Sequence, residues 1–214
     1  MKRLAIFSDV HADLQALQDA LRQVERLRCD LVLCAGDLVD YGLFPDETVA
    51  LLRQNAIPCI QGNHDRWAAK GGVMASSAGL ISGATKHFLR SLPTSWSATI
   101  DGVRVAMWHA SPGSDMNGVY PDHHTATDLT RFLDQAEADV LIVGHSHLRF
   151  RLPAPGGRII VNPGALLRNP ADDLEATGIP TPGTFGVLEL PSKRFTVHRA
   201  RDGNEAPCIE RLRG

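Results

Sequence analysis

The sequence predicts an α/β fold in which two mixed β-sheets pack face to face and helices cover them on the outside. Three observations predict it. Strand and helix patterns alternate over the first 65 residues, the pattern becomes mostly β after Gly144, and short polar clusters follow several apolar runs. A chain of 214 residues fits one domain of ordinary size, so we expect a single domain over residues 1–214.

The first part of the chain predicts three strands that alternate with two helices. Leu14, Leu17 and Leu21 recur at helical spacing, and Asp13 stands where an N-cap is expected. The predicted elements are a strand over residues 3–8, a helix over 13–28, a strand over 31–34, a helix over 46–54 and a strand over 57–61. This order implies parallel strands joined by right-handed crossovers.

The rest of the chain predicts more strands than helices. Asp101-Gly102 lies between two apolar runs and signals a hairpin, and Pro93 ends the helix before it. The predicted elements are a helix over 84–91, strands over 95–100 and 103–108, a helix over 125–136, and strands over 140–143, 148–152, 158–161, 184–190 and 194–199. Residues 71–83, rich in Gly, Ala and Ser, predict loop and short helix, and residues 169–183 predict a long loop.

Composition argues against several classes of protein. Lys and Arg number 22 against 24 Asp and Glu, a net charge of −2, which disfavours a binder of long nucleic acid. No run approaches the ~18 apolar residues of a membrane span. The apolar run at the N-terminus is too short for a signal peptide, so we expect a cytoplasmic protein. The four cysteines are far apart, which favours neither a disulfide framework nor a thiolate metal site.

Five polar clusters follow apolar runs of the sequence. They are Asp9-Val10-His11, Gly36-Asp37, Gly62-Asn63-His64-Asp65, His109 and Gly144-His145-Ser146-His147. Open α/β folds bind ligands at the carboxyl ends of their strands, so the clusters are expected to converge. Asp9 and His11 are two residues apart and point to the same side of an extended segment, and His145 and His147 repeat this spacing.

The clusters supply more metal donors than one ion needs. The candidate ligands are Asp9, His11, Asp37, Asn63, His109, His145 and His147. Seven donors exceed one tetrahedral ion and suit two ions that share a carboxylate. Nitrogen and oxygen donors without thiolate suit Mn, Fe, Zn, Co or Ni. Two such ions roughly 3.5–4 Å apart would clamp the attacking and leaving oxygens of a displacement at phosphorus.

In this order the clusters resemble those of the calcineurin-like metallophosphoesterases, and most of all the compact bacterial and archaeal phosphodiesterase-type members. The resemblance extends from Asp9 to His147 and continues to Asn162-Pro163-Gly164. It implies a four-layer sandwich and two divalent metal ions, with Mn placed first. It implies that Asp9, His11 and His147 hold one ion, that Asn63, His109 and His145 hold the other, and that Asp37 and a hydroxide, the nucleophile, bridge them.

The same resemblance implies the acid–base residues. His64 would protonate the leaving oxygen as the general acid, and Asp65 would hydrogen-bond the far nitrogen of its ring. Two alternatives stay open: His64 could only support the metal ligands, and Asp65 could cap the next helix.

Phosphate contacts are less well marked in the sequence. Arg66, Arg149 and Arg168 are candidates because a guanidinium offers a bidentate fork, although each could also lie on a solvated face. Tyr41 stands where protein-phosphatase members carry an arginine that grips phosphate, which weakens a protein-phosphatase interpretation. His109 is followed by Ala110, where many members have glycine.

Together these features predict a metal-dependent phosphoesterase that hydrolyses a small phosphodiester and also accepts phosphomonoesters. Two alternatives belong to other classes. One is a catalytically silent scaffold that uses the same fold, and the other is a nuclease, which the acidic balance disfavours. The sequence leaves the physiological substrate, the metal and the formation of a homo-oligomer open.

Overall fold

The structure is a computed structural model, and it describes residues 1–71, 81–168 and 183–210. The helices in this part of the chain are α1 (Leu14–Arg26), α2 (Pro45–Gln54), α3 (Asn63–Lys70), α4 (Gly83–Ser91) and α5 (Ala126–Gln135), with a short 3-10 turn at Pro155–Gly157. The strands are β1 (Lys2–Phe7), β2 (Leu31–Cys34), β3 (Ser95–Ile100), β4 (Val103–Trp108), β5 (Val140–Ile142), β6 (Arg149–Ala154), β7 (Arg158–Pro163), β8 (Thr184–Leu190), β9 (Arg194–Arg199) and β10 (Glu205–Ala206).

The strands form two five-stranded mixed sheets. The first has the order β10-β9-β8-β1-β2, and the second has the order β3-β4-β5-β7-β6. In the first sheet β1 is parallel to β2 and antiparallel to β8. In the second, β4, β5 and β7 are parallel, and antiparallel partners flank them on each side. The predicted pair of mixed sheets is therefore confirmed.

Alternation along β1 explains how the layers form. Leu4 and Ile6 point into the core between the two sheets, whereas Ala5 and Phe7 point to the helices on the other face. The core between the sheets receives residues such as Met107 from the second sheet, whose outer face packs against α5. The result is a helix–sheet–sheet–helix sandwich, as the sequence predicts.

Helix starts and hairpin turns follow the predicted local chemistry. The Asp13 carboxylate accepts a hydrogen bond from the Ala16 amide at 3.0 Å, which makes it the N-cap of α1. Strands β3 and β4 pair in register around Asp101-Gly102. None of the helices in the described ranges is long and apolar enough to cross a membrane.

The predicted strand over residues 57–61 is wrong in extent. Only one isolated parallel bridge forms there, between Cys34 and Cys59. Pro58 accepts a hydrogen bond from the Cys34 amide but has no amide hydrogen of its own to extend a ladder. The chain then turns at once into α3. The alternative in which Asp65 caps the next helix anticipates its start, but its polar first turn shows no apolar period from which its range could be predicted.

Two predicted loops lie mostly outside the described residues. The structure does not describe residues 72–80 of the first or 169–182 of the second.

Candidate metal centre

The five polar clusters meet where β1, β2, β4 and β5 end. Backbone hydrogen bonds join their loops: the Asp9 amide donates to Gly36, the His11 amide to Asp37, and the Gly144 amide to His109. These bonds measure 3.0, 2.9 and 2.7 Å. The strand ends therefore place residues from distant parts of the sequence in one pocket.

The backbone at this pocket is strained. Left-handed φ angles occur at Asp9 (52°), His11 (48°), Asp37 (55°), His145 (66°) and His147 (58°). Such angles cost on the order of 1–3 kcal/mol each outside glycine, and they concentrate at functional sites. All five residues belong to one of two groups of possible metal ligands, which is consistent with a binding function.

Asp9, His11 and His147 form a first donor group, with donor atoms that all lie within 4.8 Å of one another. The Asp9 Oδ1 atom is 3.3 Å from His147 Nε2, and the two Nε2 atoms of the histidines are 3.3 Å apart. His11 Nδ1 lies 3.2 Å from the Val39 carbonyl oxygen. Donation of the Nδ1 hydrogen there leaves the Nε2 lone pair of His11 for a cation.

Asp37, His109 and His145 form a second donor group within the same 4.8 Å limit. The Asn63 Oδ1 atom lies 3.0 Å from His109 Nε2 and 3.0 Å from His145 Nδ1, so this amide belongs to the group as well. His109 Nδ1 is 2.7 Å from the Ala35 carbonyl oxygen and donates to it. The Nε2 atom of His109 then faces the group as an acceptor.

Asp37 stands between the two groups. Its Oδ2 atom is 3.2 Å from His109 Nε2 and 3.9 Å from His11 Nε2, whereas its Oδ1 atom accepts a hydrogen bond from the His64 amide at 2.9 Å. A single carboxylate oxygen is therefore within reach of ligands from both groups.

Two buried carboxylates, Asp9 and Asp37, give the site negative charge. Burial would raise the pKa of Asp9 and of Asp37, but the imidazoles that face them hold both pKa values below the usual range. Burial also opposes charge on His109, yet Asp37 and Asp9 raise the pKa of His109 to about 10. By contrast, burial lowers the pKa of His11 to about 4. Buried carboxylates and imidazoles thus face one another across the site, and nitrogen and oxygen donors of this kind fit divalent metal ions.

Buried polar side chains hold the ligands from behind. The Asp9 Oδ2 atom accepts hydrogen bonds from the Ser8 hydroxyl at 2.5 Å and from the His145 amide at 3.1 Å. Asn162 donates to the Gly144 carbonyl at 2.8 Å and accepts from the Gly164 amide at 2.8 Å. Asn162 is buried and fixes the turn that carries His145, a supporting role that the sequence does not reveal.

The partner of His64 differs from the expected one. His64 Nδ1 lies 2.8 Å from Asp40 Oδ2, in a buried pair, whereas we expect Asp65 at this nitrogen from the sequence. Asp65 is the third residue of α3, and its carboxylate turns back over the start of the helix. The alternative interpretation, in which Asp65 caps the helix, is the correct one.

Within the described residues, the hydrogen bonds of the Asp65 carboxylate come from backbone amides. It accepts hydrogen bonds from the amides of Gly62, Asp37, Leu38 and Val39, at distances of 2.9, 2.9, 2.8 and 3.3 Å. Burial and the neighbouring Asp37 raise the pKa of Asp65 to about 7, against the effect of these amides. Asp65 therefore fixes the loop that carries Asp37.

His64 belongs to neither donor group, and aromatic rings surround it. Its ring centroid lies 5.0 Å from His11, 5.0 Å from Tyr41 and 4.8 Å from Trp67. A buried imidazole held by a carboxylate beside two donor groups can hold and deliver a proton at the pocket.

The three candidate arginines do not all face the pocket. Arg168 pairs with the N-cap Asp13 through two contacts of 2.7 and 2.6 Å. Arg149 is buried in β6. Arg66 lies next to the pocket, where its guanidinium is engaged by Asp115.

The sandwich and its two His/Asp groups define a metal-binding phosphoesterase. Residues 1–189 match the family described as the calcineurin-like phosphoesterase superfamily domain, and the chain belongs to this family. The resemblance seen in the sequence is thereby confirmed, and the protein is a metal-dependent hydrolase of phosphoric esters.

The chain is similar in sequence or structure to several known proteins. An uncharacterized protein of Methanocaldococcus jannaschii is 28% identical over 176 residues, which cover 76% of this chain and 69% of that protein. A metallophosphoesterase from Sphaerobacter thermophilus is 26% identical, with a TM-score of 0.72 over 92% of this chain and 87% of its own. A hypothetical protein from Pyrococcus horikoshii OT3 shares the fold at 16% identity, with a TM-score of 0.78 over 93% and 88% of the two chains.

A more distant structure is an archaeal phosphodiesterase. It is 18% identical, with a TM-score of 0.55 over 92% of this chain and 99% of its own. At this identity the likeness concerns the fold.

Proposed function

We propose that the protein hydrolyses small phosphodiesters at a dinuclear metal centre and that it also accepts phosphomonoesters. The observation that carries the proposal is the position of Asp37, whose Oδ2 atom lies close to histidines of both donor groups. In this proposal Asp9, His11 and His147 hold one ion, Asn63, His109 and His145 hold the other, and Asp37 is shared.

The chemistry divides between the ions and the chain. Two divalent ions, when bound, would supply a nucleophile from water near neutral pH and offset the charge that develops at phosphorus. His64 holds a proton for the leaving oxygen, and Asp40 fixes the ring that carries it. Tyr41 and Trp67 pack beside the His64 ring.

Preference for a small diester is supported by the sequence. The clusters are most similar to those of the compact phosphodiesterase-type members of the family. Tyr41 replaces the arginine that grips phosphate in protein phosphatases, and the chain carries no excess of basic residues for a long nucleic acid. We place Mn first among the metals, ahead of Fe, Zn, Ni and Co, since this donor set accepts all of them.

The test is hydrolysis of bis(p-nitrophenyl) phosphate and of p-nitrophenyl phosphate by chelator-treated protein, without metal and with added Mn²⁺, Fe²⁺, Zn²⁺, Ni²⁺ or Co²⁺. We expect both esters to be hydrolysed only when metal is present, and the diester to be preferred. Asp37→Asn, which weakens the shared ligand, should lose most of this activity. Absence of turnover with each of the five metals would contradict the proposal.

A catalytically silent scaffold would give a different result. A scaffold could retain metal, but it would hydrolyse no ester, so substitution of His64 would change no rate. If His64→Ala leaves the metal content unchanged and lowers the rate most for poor leaving groups, the protein acts as an enzyme with a general acid.

A further inference from the structure

A cavity of about 520 Å³ lies beside the second donor group. His109 forms part of its wall, and Arg66 and Asp115 form the charged part. The remaining lining residues are uncharged and include Gln61 and Ser114. Because the cavity touches a metal-group histidine, a substituent or oxygen of a bound phosphoester would meet the Arg66–Asp115 pair.

Arg66 and Asp115 form a two-point ion pair. Arg66 Nε lies 2.5 Å from Asp115 Oδ2, and Arg66 Nη2 lies 3.2 Å from Asp115 Oδ1. This is the geometry in which a guanidinium binds a phosphate with two parallel hydrogen bonds. The Asp115 carboxylate therefore occupies the edge of the fork that a phosphate would otherwise use.

The loop after β4 holds Asp115 in place. Ser111 and Ser114 exchange backbone hydrogen bonds of 3.2 and 2.9 Å across a tight turn, in which Gly113 has a φ of 83°. The Ser114 hydroxyl then accepts from the amides of Met116 and Asn117, at 3.1 and 2.9 Å. Hydrogen bonds on both sides of Asp115 fix the backbone from which its carboxylate reaches Arg66.

We propose that Asp115 determines substrate specificity: by occupying the Arg66 fork, it withholds a guanidinium that would favour doubly charged phosphomonoesters and so favours singly charged phosphodiesters. The inference rests on the proposed phosphoesterase function and names its substrate class. A monoester carries about −1.5 to −2 charges at neutral pH, and an arginine fork stabilises such a dianion far more than a diester with one charge.

The experiment compares two anions that bind without turnover. Inorganic phosphate stands for the dianion and dimethyl phosphate for the diester, both measured by calorimetry on the full chain loaded with Mn²⁺ at about pH 8. We expect Asp115→Asn to tighten phosphate binding by about three- to tenfold, a moderate value because the pair is partly exposed to solvent. Binding of dimethyl phosphate should change by less than about twofold.

Three further variants control the comparison. Asp202→Asn removes an aspartate that pairs with Arg199 in the turn after β9, and it should change neither affinity. The double variant Arg66→Gln/Asp115→Asn should lose the gain, because no guanidinium is left to free. Asp115→Ala frees the Arg66 guanidinium and leaves no amide oxygen where the carboxylate was. This variant replaces Asp115→Asn in the comparison if Asp115→Asn folds poorly.

Unchanged or weaker phosphate binding in Asp115→Asn and Asp115→Ala would overturn the proposal, and weaker binding would mean that Asp115 instead positions Arg66 on the substrate. Because the readout is binding, it remains valid if the wild-type protein hydrolyses neither ester, which would overturn the proposed function alone. If turnover is present, the ratio of monoester to diester kcat/KM should rise by the same factor.

Discussion

In the proposed mechanism, Asp40 acts through His64. It binds the ring nitrogen that faces away from the proton to be delivered, at 2.8 Å, and both groups are buried. Asp40→Asn should leave the metal content unchanged and lower the rate for alkoxide-like leaving groups by about ten- to a hundredfold, because the imidazole loses its fixed tautomer.

Rates for a series of esters with increasingly basic leaving groups check this prediction for Asp40. The wild-type rates should fall gently along the series, and those of Asp40→Asn steeply. Asp202→Asn is the matched control. An equal loss for every leaving group would show that Asp40 and His64 do not serve proton transfer.

Asp65 has a structural task, and its substitution should give a different result. Asn at position 65 has one acceptor oxygen, and its amino group would face backbone amides that need an acceptor. We expect Asp65→Asn to reduce the free energy of unfolding by about 2–4 kcal/mol, because buried amides lose their partners. Urea unfolding measures this loss, provided that the m-value of the variant equals that of the wild type. A free energy of unfolding equal to that of the wild type would contradict the prediction.

Single residues were predictable where a motif fixes them. Asp9, His11, His109 and His147 were identified because their order along the chain is specific. The partner of His64 was not, since it depends on the path of the backbone after Asp37, where Asp40 adopts a φ of 81° and reaches the ring. A short sequence motif around His64 does not indicate a contact with Asp40, which lies 24 positions away along the chain.

At the scale of elements, the turns that carry ligands depend on close backbone approach. A Cβ atom on Gly144 would lie 2.8 Å from the Asp9 Oδ2 atom and closer still to the Ser8 hydroxyl. Gly144→Ala should therefore displace the Asp9 carboxylate and lower metal affinity at the first group by at least about tenfold.

Gly83→Ala is the matched control for this substitution. Gly83 is the first residue of α4 and has no neighbour within 4 Å of an added Cβ atom. Metal content after dialysis, measured on both variants, decides the matter. Wild-type metal content in Gly144→Ala would show that the turn has room to adjust.

Elements with a clear period were predictable, and those without one were not. The helix at Leu14–Arg26 and the paired strands around Asp101 follow from apolar spacing and turn chemistry. Helix α3 was anticipated only through the alternative role of Asp65 as a cap, because its first turn consists of polar residues without an apolar period and Gly62 gives little sign of a helix start. The strand expected around Cys59 shrank to one bridge because Pro58 cannot donate to a ladder.

At the scale of the whole molecule, metal should bind only the folded protein, because the donors come from the ends of four strands. A ligand at 100 times its Kd stabilises the native state by about 2.7 kcal/mol. Two ions at this ratio contribute about twice as much, so for a chain of this size we expect a rise in Tm of about 10–20 °C when Mn²⁺ is added to chelator-treated protein.

Thermal unfolding monitored by circular dichroism checks this shift. Asp37→Asn should show a much smaller rise, because its carboxylate lies close to both donor groups. An equal rise in the variant would mean that the metal acts elsewhere on the protein.

The arrangement of the sheets was predictable because the strand and helix patterns alternate over the first 65 residues, become mostly β after Gly144, and resemble a family with a four-layer sandwich. The Arg66–Asp115 pair was not, because the two residues lie 49 positions apart and no periodic pattern links them.

The central claim is that two metal ions, held by one shared carboxylate, make this pocket hydrolytic. The most direct test adds Mn²⁺ stepwise to chelator-treated protein while bound metal per chain and hydrolysis of bis(p-nitrophenyl) phosphate are measured together. Activity should appear as the second ion binds and level off at about two ions per chain. Full activity of the metal-free protein, or two bound ions without hydrolysis of any ester tested, would contradict the claim.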